Sequence, residues 1–339
     1  MSGRAIGLLQ GLGYKSGWRL WTLAALVGYA AFEISASKEP LGRLLVEGAA
    51  GSGAEVTAAL QYALAAGAVA ATLALGAVIR LLPFRLQVAV VWALLLAAFL
   101  AFAYNFDLKY SLIEDKFPYL AGFRLDSRGF ILGAALTIYL SVISILFSSL
   151  LGIVAAFGRM SRNAVFFGIA SFYISFFRGT PLLLQIYLVY QGLAQQMNLI
   201  LGAVTAGIIA LSLNYGAYLA EIIRAGIQSI PHGQIEAGAC LGLKPWQITL
   251  KIVAPQAMRV LVPPVFSQFI AMLKDTSLVS ALGVWELLFL ARSYGRADFR
   301  YIEMLLTAAV LYWTLSVILE LIQVRLEQQF GKGFAVTRH

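Results

Sequence analysis

The sequence predicts an all-α membrane protein with about eight transmembrane helices. Of its 339 residues, 60% are hydrophobic and only 12% are charged, whereas about a quarter of the residues of a soluble domain are charged. Several uncharged runs also reach the length of about 20 residues that a helix needs to cross the hydrocarbon core. These observations exclude a soluble enzyme, and they exclude a disordered chain, which needs low hydrophobicity and high charge.

The first predicted span covers residues 20–36. We interpret it as a retained helix and not as a signal peptide, because Trp18 and Trp21 suit interfacial anchors and residues 35–38 form a poor cleavage site. The fifth and sixth spans share one uncharged run, which a polar turn at 191–198 divides. The remaining spans are predicted in order at 56–79, 86–106, 129–157, 179 to about 198, about 199 to 220, about 260–290 and 304–322.

Loop charges predict the orientation. Basic residues dominate the N-terminus, the loops at 80–85, 159–162 and 224–259, and the tail from residue 325, whereas the alternate loops at 37–55, 107–128 and 286–303 are balanced or acidic. Positive loops lie on the cytoplasmic side, so eight spans place both termini in the cytoplasm. The net charge of +9 therefore indicates contact with anionic membrane lipid and no nucleic acid.

The sequence offers little material for catalysis. A single cysteine, Cys240, excludes an intrachain disulfide and a cysteine metal cluster, and two histidines, His232 and His339, give no basis for a metal or a Ser/His site. The sequence also lacks a Gly-x-x-x-x-Gly-Lys-Ser/Thr phosphate-binding loop. We therefore predict no catalytic residues and no metal, and we expect any ATP hydrolysis to take place on another protein.

The segment between the sixth and seventh spans is the most informative. Pro231 and Gly233 break the chain, and residues 234–241 then predict a short amphipathic helix, which Gly242 ends with a residue suited to a left-handed cap. A short helix across the cytoplasmic face, flanked by breakers, suits the docking of a partner. The alternative is a plain amphipathic helix on the lipid headgroups.

This segment resembles a known motif. Glu236-Ala237-Gly238, three residues, Gly242, nine residues, Ile252, one residue and Ala254-Pro255 are similar to the EAA loop of permease subunits of ATP-binding-cassette (ABC) importers. Gly238 replaces an alanine and Ala254 a leucine of that pattern. The stretches at 176–185, 214–222 and 268–278 resemble the polar amino-acid branch of the family, and the resemblance covers about residues 128–330.

The resemblance implies a fold and a function. A five-helix, MetI-like permease core at 128–330 would follow an N-terminal extension of three helices at 1–127 and precede a cytoplasmic tail at 331–339. The chain would be the transmembrane permease of an importer that moves polar amino acids by alternating access in the bacterial cytoplasmic (inner) membrane. The residues implied to couple it to the ATPase are Glu236, Ala237, Gly238, Gly242, Ile252 and Pro255.

The resemblance also implies partners. A separate ATPase dimer would bind ATP and Mg²⁺, so the chain itself would hold no cofactor. A second permease subunit, identical or homologous, would complete the pathway, and an extracytoplasmic amino-acid-binding protein would deliver the amino-acid substrate. The alternative function is an ion-coupled secondary amino-acid transporter, since broken helices and intramembrane charges fit that class too, although it would not need the motif at 236–255.

Two clusters are candidates for the substrate path. Thr180 and Pro181 predict a helix start, with Thr180 as the N-cap, and the free amides of Gly179 and Thr180 would attract a substrate carboxylate. In the seventh span, Lys274, Asp275, Thr276 and Ser277 form a polar cluster at membrane depth. The alternatives are a structural cap at Thr180 and, for the second cluster, a buried ion pair with Glu221 or Arg224. Gln185 and Asn214 either line the path or join helices.

Overall fold

The computed structural model describes residues 25–27, 29–31, 58–104, 108–124 and 131–330. Every regular element in these ranges is a helix, which confirms the predicted all-α class. The chain divides into two compact units between Leu108 and Lys109. The boundary predicted after residue 127 stays a prediction.

The first unit contains two described helices. Helix α1 is Ala58–Arg80 and helix α2 is Phe84–Tyr104, close to the second and third predicted spans. Leu86 and Gln87 begin α2 by donating backbone hydrogen bonds to the Pro83 carbonyl. Most of the first predicted span, 20–36, lies outside the described residues, although residues 25–27 and 29–31 are helical.

The second unit holds the remaining helices. In chain order they are α3 Tyr110–Leu120, α4 Gly133–Arg159, α5 Ala164–Gly179, α6 Leu182–Tyr187, α7 Leu193–Met197, α8 Ala203–Gln228, α9 His232–Cys240, α10 Pro245–Ile248, α11 Ala254–Asp275, α12 Leu287–Ala297 and α13 Tyr301–Phe330. A π-helical turn, Leu188–Gly192, joins α6 to α7, and a second one, Thr249–Val253, joins α10 to α11. A 3₁₀ helix, Thr276–Leu282, continues from the end of α11.

Five helical segments of the described residues are long and apolar enough to cross a membrane: Leu60–Ala77, Gly133–Arg159, Ala203–Gln228, Pro245–Leu282 and Tyr301–Gln329. A sixth span results if α5 and the run from α6 to Gly192, which meet at an angle of 109°, are counted as one broken span. Helix α2 has a shorter apolar stretch, Phe84–Ala97. The predicted total of about eight spans therefore stays a prediction.

Some predicted boundaries are wrong. The polar turn expected at 191–198 is largely helical, because the helix continues to Met197 and ends only where Asn198 takes a left-handed φ of 52°. The seventh span was predicted to reach residue 290, but Gly283 has a φ of 77° and ends the helix. The Glu286 carboxylate then accepts hydrogen bonds from the amides of Leu288 and Phe289 and starts α12 in a segment predicted as a loop.

Close packing of α4 on α8 forms the centre of the second unit. A Cβ atom added to Gly152 would lie 2.8 Å from the Leu219 Cβ and 3.2 Å from the Ala220 nitrogen. The Ser148 hydroxyl donates to the Ser212 carbonyl at 3.2 Å. Small residues let two transmembrane backbones approach closely enough for such bonds, so this contact needs Gly152 to lack a side chain.

We predict that Gly152→Leu destabilises the protein. Overpacking of a filled interface costs about 1–3 kcal/mol, so the thermal unfolding midpoint in detergent should fall. Gly168→Leu is the control, because a Cβ added to Gly168 on α5 meets no atom within 4 Å. Equal midpoints for the two variants would contradict the assigned α4–α8 contact.

Candidate coupling and translocation sites

Helix α9 forms at the predicted docking segment, with its ends shifted. It runs from His232 to Cys240, and Gly242 takes the left-handed φ of 73° that its place after the helix requires. The Gly242 amide donates to the Ala239 carbonyl at 2.9 Å, and the Leu243 amide donates to the Gly238 carbonyl at 3.2 Å. These two bonds define a Schellman motif, which turns the chain sharply after α9.

The inner face of α9 explains the glycine in the motif. Gly238 is the buried residue of this helix, and a Cβ added there would lie 2.7 Å from the Ile252 Cδ1 and 3.2 Å from the Ile248 Cγ1. Ile235 packs on the same apolar cluster. Gly238 and Ile252, which are widely separated in the motif, therefore meet in space and hold α9 against the start of the following span.

The outer face of α9 is free in this chain. Glu236 and Ala237 are exposed, and a Cβ added to Gly242 would meet no atom within 4 Å. Leu241, which follows the last residue of α9, is 79% exposed because the turn after α9 directs it outward. Trp246 and Leu250 are also exposed, and Pro255 lies exposed in the first turn of α11.

The bend between α5 and α6 differs from the prediction by one residue. Pro181, and not Thr180, is the N-cap of α6, and Gly179 is the last residue of α5. The Thr180 hydroxyl donates to the Phe176 carbonyl at 2.8 Å, so it turns back to the preceding helix. The predicted N-cap role of Thr180, and the helix-start amides assigned to Gly179 and Thr180, are therefore wrong.

Two buried amide side chains stabilise the bend. The Gln185 Nε2 lies within hydrogen-bonding distance of the Phe177 carbonyl at 2.9 Å and the Thr180 hydroxyl at 2.8 Å. The Asn214 Nδ2 donates to the same Phe177 carbonyl and to the Gln185 Oε1, both at 3.0 Å. Because the bend interrupts the helical hydrogen bonds, its carbonyls need such donors. Gln185 and Asn214 therefore join helices in this structure.

Lys274 and Asp275 point in different directions, as neighbours on a helix should. The Tyr215 hydroxyl donates to the Asp275 Oδ2 at 2.7 Å, whereas Lys274 is exposed and belongs to none of the ion pairs within the described ranges. The alternative of an ion pair with Glu221 or Arg224 is wrong, because those two residues pair with each other at 2.7 Å.

The other two residues of this cluster differ in burial. The Thr276 hydroxyl is buried and donates to the Leu273 carbonyl at 2.7 Å. Ser277 is half-buried in the 3₁₀ helix. The cluster therefore offers the exposed ammonium of Lys274 and the half-buried carboxylate of Asp275 as its charged groups.

A buried carboxyl at the opposite end of α11 from α9 was not predicted. Glu286 is fully buried and accepts a hydrogen bond from the Tyr312 hydroxyl at 2.6 Å, besides those from the amides that start α12. Burial raises the pKa of the Glu286 carboxyl to about 7, against the opposing effect of these hydrogen bonds. The Gly133 amide donates to the Trp285 carbonyl next to it, so this residue lies where α4, α12 and α13 meet.

The helical periodicity of the apolar residues in α12 was overlooked, because only the charges of this segment were considered. Leu287, Leu290 and Ala291 follow helical spacing and are buried at 0–2% exposure, while Arg292 and Arg296 lie on the other face. The segment was counted only as a loop with equal numbers of acids and bases. Its helical periodicity would have predicted both the helix and the shared face of the two arginines.

Comparison with known proteins gives consistent similarities. Residues 148–332 match the family described as binding-protein-dependent transport system inner membrane component. The chain is 36% identical over 202 residues to the probable amino-acid permease protein YxeN of Bacillus subtilis (strain 168), covering 59% of this chain and 90% of that protein. It is 36% identical over 228 residues to the L-cystine transport system permease protein TcyB of the same organism, covering 67% and 93%.

Solved structures show the same fold. An amino acid ABC transporter crystallised with histidines is 32% identical, with a TM-score of 0.58, and the match covers 65% of this chain and 97% of that one. The MetNI methionine ABC transporter in an inward-facing conformation is 22% identical, with a TM-score of 0.52 and coverage of 58% and 94%. At that identity, the second likeness concerns the fold alone.

We predict that the buried Glu286 carboxyl makes stability depend on pH. Its folded pKa of about 7 lies above the ordinary value of 4.5, so the stabilisation is fully present below pH 4.5 and is lost as the pH rises through 7. The unfolding free energy of the wild type relative to Glu286→Gln should fall by up to roughly 1.4 kcal/mol per pH unit within this window. Thermal unfolding in detergent from pH 4.5 to 8 measures the difference, and a constant difference across that range would contradict the assignment.

Proposed function

Because the chain belongs to the family of binding-protein-dependent transport system inner membrane components, we propose that it is the transmembrane permease subunit of an ABC importer for polar amino acids. The relatives named above are amino-acid or cystine permeases, and none of them favours an ion-coupled secondary transporter. The observation that carries the proposal is the two-sided geometry of α9, which is anchored on one face and open on the other.

The anchored face suits the transmission of force. Gly238 contacts Ile252 so closely that a methyl group would not fit without movement, and Ile252 belongs to the π turn that continues into α11. A protein that displaces α9 would therefore displace the start of a membrane span. Packed helices move as units because protein interiors are dense.

The open face suits an ATPase partner. Glu236 presents a carboxylate and Ala237 a small side chain, and Gly242 leaves space for close approach. The exposed Leu241, Trp246 and Leu250 add apolar area beside them, and tryptophan is among the residues that contribute most to the binding energy of protein–protein contacts. We assign ATP and Mg²⁺ to this partner, as a dimer beneath two permease subunits.

The cytoplasmic position proposed for α9 determines where the remaining partners would bind. With α9 in the cytoplasm, α12 lies on the opposite side of the membrane, because α11 spans about 33 Å between them at 1.5 Å per residue. An extracytoplasmic amino-acid-binding protein would dock on that side. Both termini would be cytoplasmic, in the inner membrane of a bacterium.

Asp275 is the best-placed acceptor for a substrate ammonium. It lies half-buried at the end of α11, and the Tyr215 hydroxyl fixes one of its oxygens. An amino-acid zwitterion loses water in a narrow path, and unpaired charge there costs several kcal/mol. The exposed Lys274 next to it supplies the opposite sign, Thr276 and Ser277 supply hydroxyls, and Gly179 and Thr180 mark the bend of the neighbouring broken span.

We predict that Glu236→Ala and Gly242→Trp weaken assembly with the ATPase while membrane insertion is retained. Uptake of labelled amino acids and the yield of co-purified ATPase should each fall at least about tenfold, since hot-spot truncations cost about 2 kcal/mol or more. Gly242→Asn is the control for backbone strain, because asparagine tolerates the left-handed conformation. Wild-type uptake and co-purification in both Glu236→Ala and Gly242→Trp would show that α9 is not the coupling helix.

We predict that Asp275→Asn lowers amino-acid uptake and substrate-stimulated ATP hydrolysis at least about tenfold, because a neutral amide attracts an ammonium poorly. Assembly with the ATPase, measured by size-exclusion chromatography, should be unchanged. Tyr215→Phe is the matched control, since it removes the hydrogen bond and keeps the carboxylate. If Asp275→Asn does not assemble, or if Tyr215→Phe causes the same loss, Asp275 acts on the structure and not on the substrate.

A further inference from the structure

A cavity of about 440 Å³ lies beside α12, which follows the end of α11 that is distant from α9. Small-molecule sites usually enclose about 300–1,000 Å³, so this cavity has room for an amino acid. Four elements contribute to it: α6, the 3₁₀ helix, α12 and the start of α13. The lining residues are Tyr187, Ser280, Ala281, Phe289, Arg292, Ser293, Arg296 and Tyr301.

Helix α12 holds two arginines against this cavity. Its apolar face is buried in a cluster with α13, and the Glu286 carboxylate fixes its first turn. Arg292 and Arg296 are four residues apart on the other face, both are exposed, and neither joins an ion pair in the part of the chain that the structure describes. Like charges at this spacing repel each other on a helix, so the pair gains from a bound anion.

The chemistry of the lining favours a carboxylate. None of the lining residues carries a carboxyl group, whereas Tyr187, Ser280, Ser293 and Tyr301 supply hydroxyls beside the two guanidinium groups. The planar guanidinium of arginine matches a carboxylate with two parallel hydrogen bonds. Phe289 and Ala281 add an apolar wall, so the cavity combines a few polar anchors with a hydrophobic surface, as ligand sites do.

We propose that this arginine pocket, defined by Arg292, Arg296, Ser280 and Tyr187, binds the carboxylates of the transported amino acid and selects dicarboxylic amino acids such as glutamate. The proposal rests on the proposed function. Four helical residues place the arginines about 6 Å apart along α12, a separation that the two carboxylates of such a molecule can span. A substrate with a cationic side chain is repelled by both arginines.

The pocket adjoins the helical segment that carries Asp275. Ser280, which lines it, belongs to the 3₁₀ helix that follows Asp275 directly. An amino acid bound by its carboxylates at the arginines can thus pass to a site whose acceptor is the Asp275 carboxylate. Acidic side chains of the docking protein offer the same carboxylate chemistry, but a cavity of about 440 Å³ has the volume of a small-ligand site.

The test uses the complete transporter, reconstituted in proteoliposomes with its ATPase and its binding protein. Arg292→Gln and Arg296→Gln, singly and together, are compared with the charge-preserving pair Arg292→Lys and Arg296→Lys. Arg124→Gln is the control, because it removes the same charge from an exposed residue that does not line the cavity. Uptake of labelled L-glutamate, L-glutamine and L-arginine is measured at saturating loaded binding protein, and L-glutamate binding to the complex without binding protein is measured by calorimetry.

The expected result has three parts. The double glutamine variant loses L-glutamate binding and transports L-glutamate at least tenfold more slowly, while L-glutamine uptake falls less than threefold. The lysine pair restores part of both signals, and Arg124→Gln behaves as the wild type. The affinity for docking of the binding protein changes less than twofold in every variant.

Other results would overturn the proposal. Unchanged L-glutamate binding and uptake in the glutamine variants, or preferred uptake of L-arginine by the wild type, excludes a dicarboxylate pocket. Weaker docking of the binding protein with unchanged L-glutamate binding assigns the arginines to the protein contact instead. If the double variant does not assemble, the single variants and the lysine pair give the same comparison. Failure of the wild type to take up any amino acid would overturn the proposed function itself, whereas uptake that ignores the arginines overturns only this inference.

Discussion

A helix can break at membrane depth only if the backbone groups it releases find other hydrogen-bond partners, because hydrocarbon offers none. In this protein the partners are the amides of Gln185 and Asn214, which meet at the Phe177 carbonyl. The 109° bend that they stabilise lets α5 pack on α4 and α8 while the following run turns toward the 3₁₀ helix and α12. Without that bend, Tyr187 would not reach the cavity that Arg292 and Arg296 line.

One packed helical segment connects α9 to the residues proposed to contact the substrate. Gly238 contacts Ile252, and from Ile252 the chain continues as helix through the π turn, α11 and the 3₁₀ helix to Leu282. Asp275 and Ser280 therefore lie on the same helical segment whose beginning supports α9. A displacement of α9 has a continuous covalent and packed route to the residues assigned to substrate, and no separate linker is needed.

The sequence predicts those features that depend on short stretches of the chain. Uncharged runs predict the apolar helices, and Gly242 predicts a left-handed turn because few other residues adopt that conformation. It does not predict contacts between distant residues. Glycine is needed at position 238 because the Ile252 side chain packs against it. The roles of Gln185 and Asn214 depend on where α8 lies against the bend. Thr180 is a local case: its hydroxyl donates to the Phe176 carbonyl four residues earlier, a bond that competes with capping for threonine.

The proposed contacts for a zwitterion lie at the end of α11 that is distant from α9 and in the helix that follows it. In that proposal, Asp275 would offer an acceptor at the end of the span and the arginine pocket would offer donors beyond it. Glu286 lies at the start of the helix that carries these arginines. Burial raises the pKa of the Glu286 carboxyl to about 7, and its hydrogen bonds connect it to the start of α12 and to Tyr312. The carboxyl group that starts α12 therefore fixes the helix that carries the two arginines.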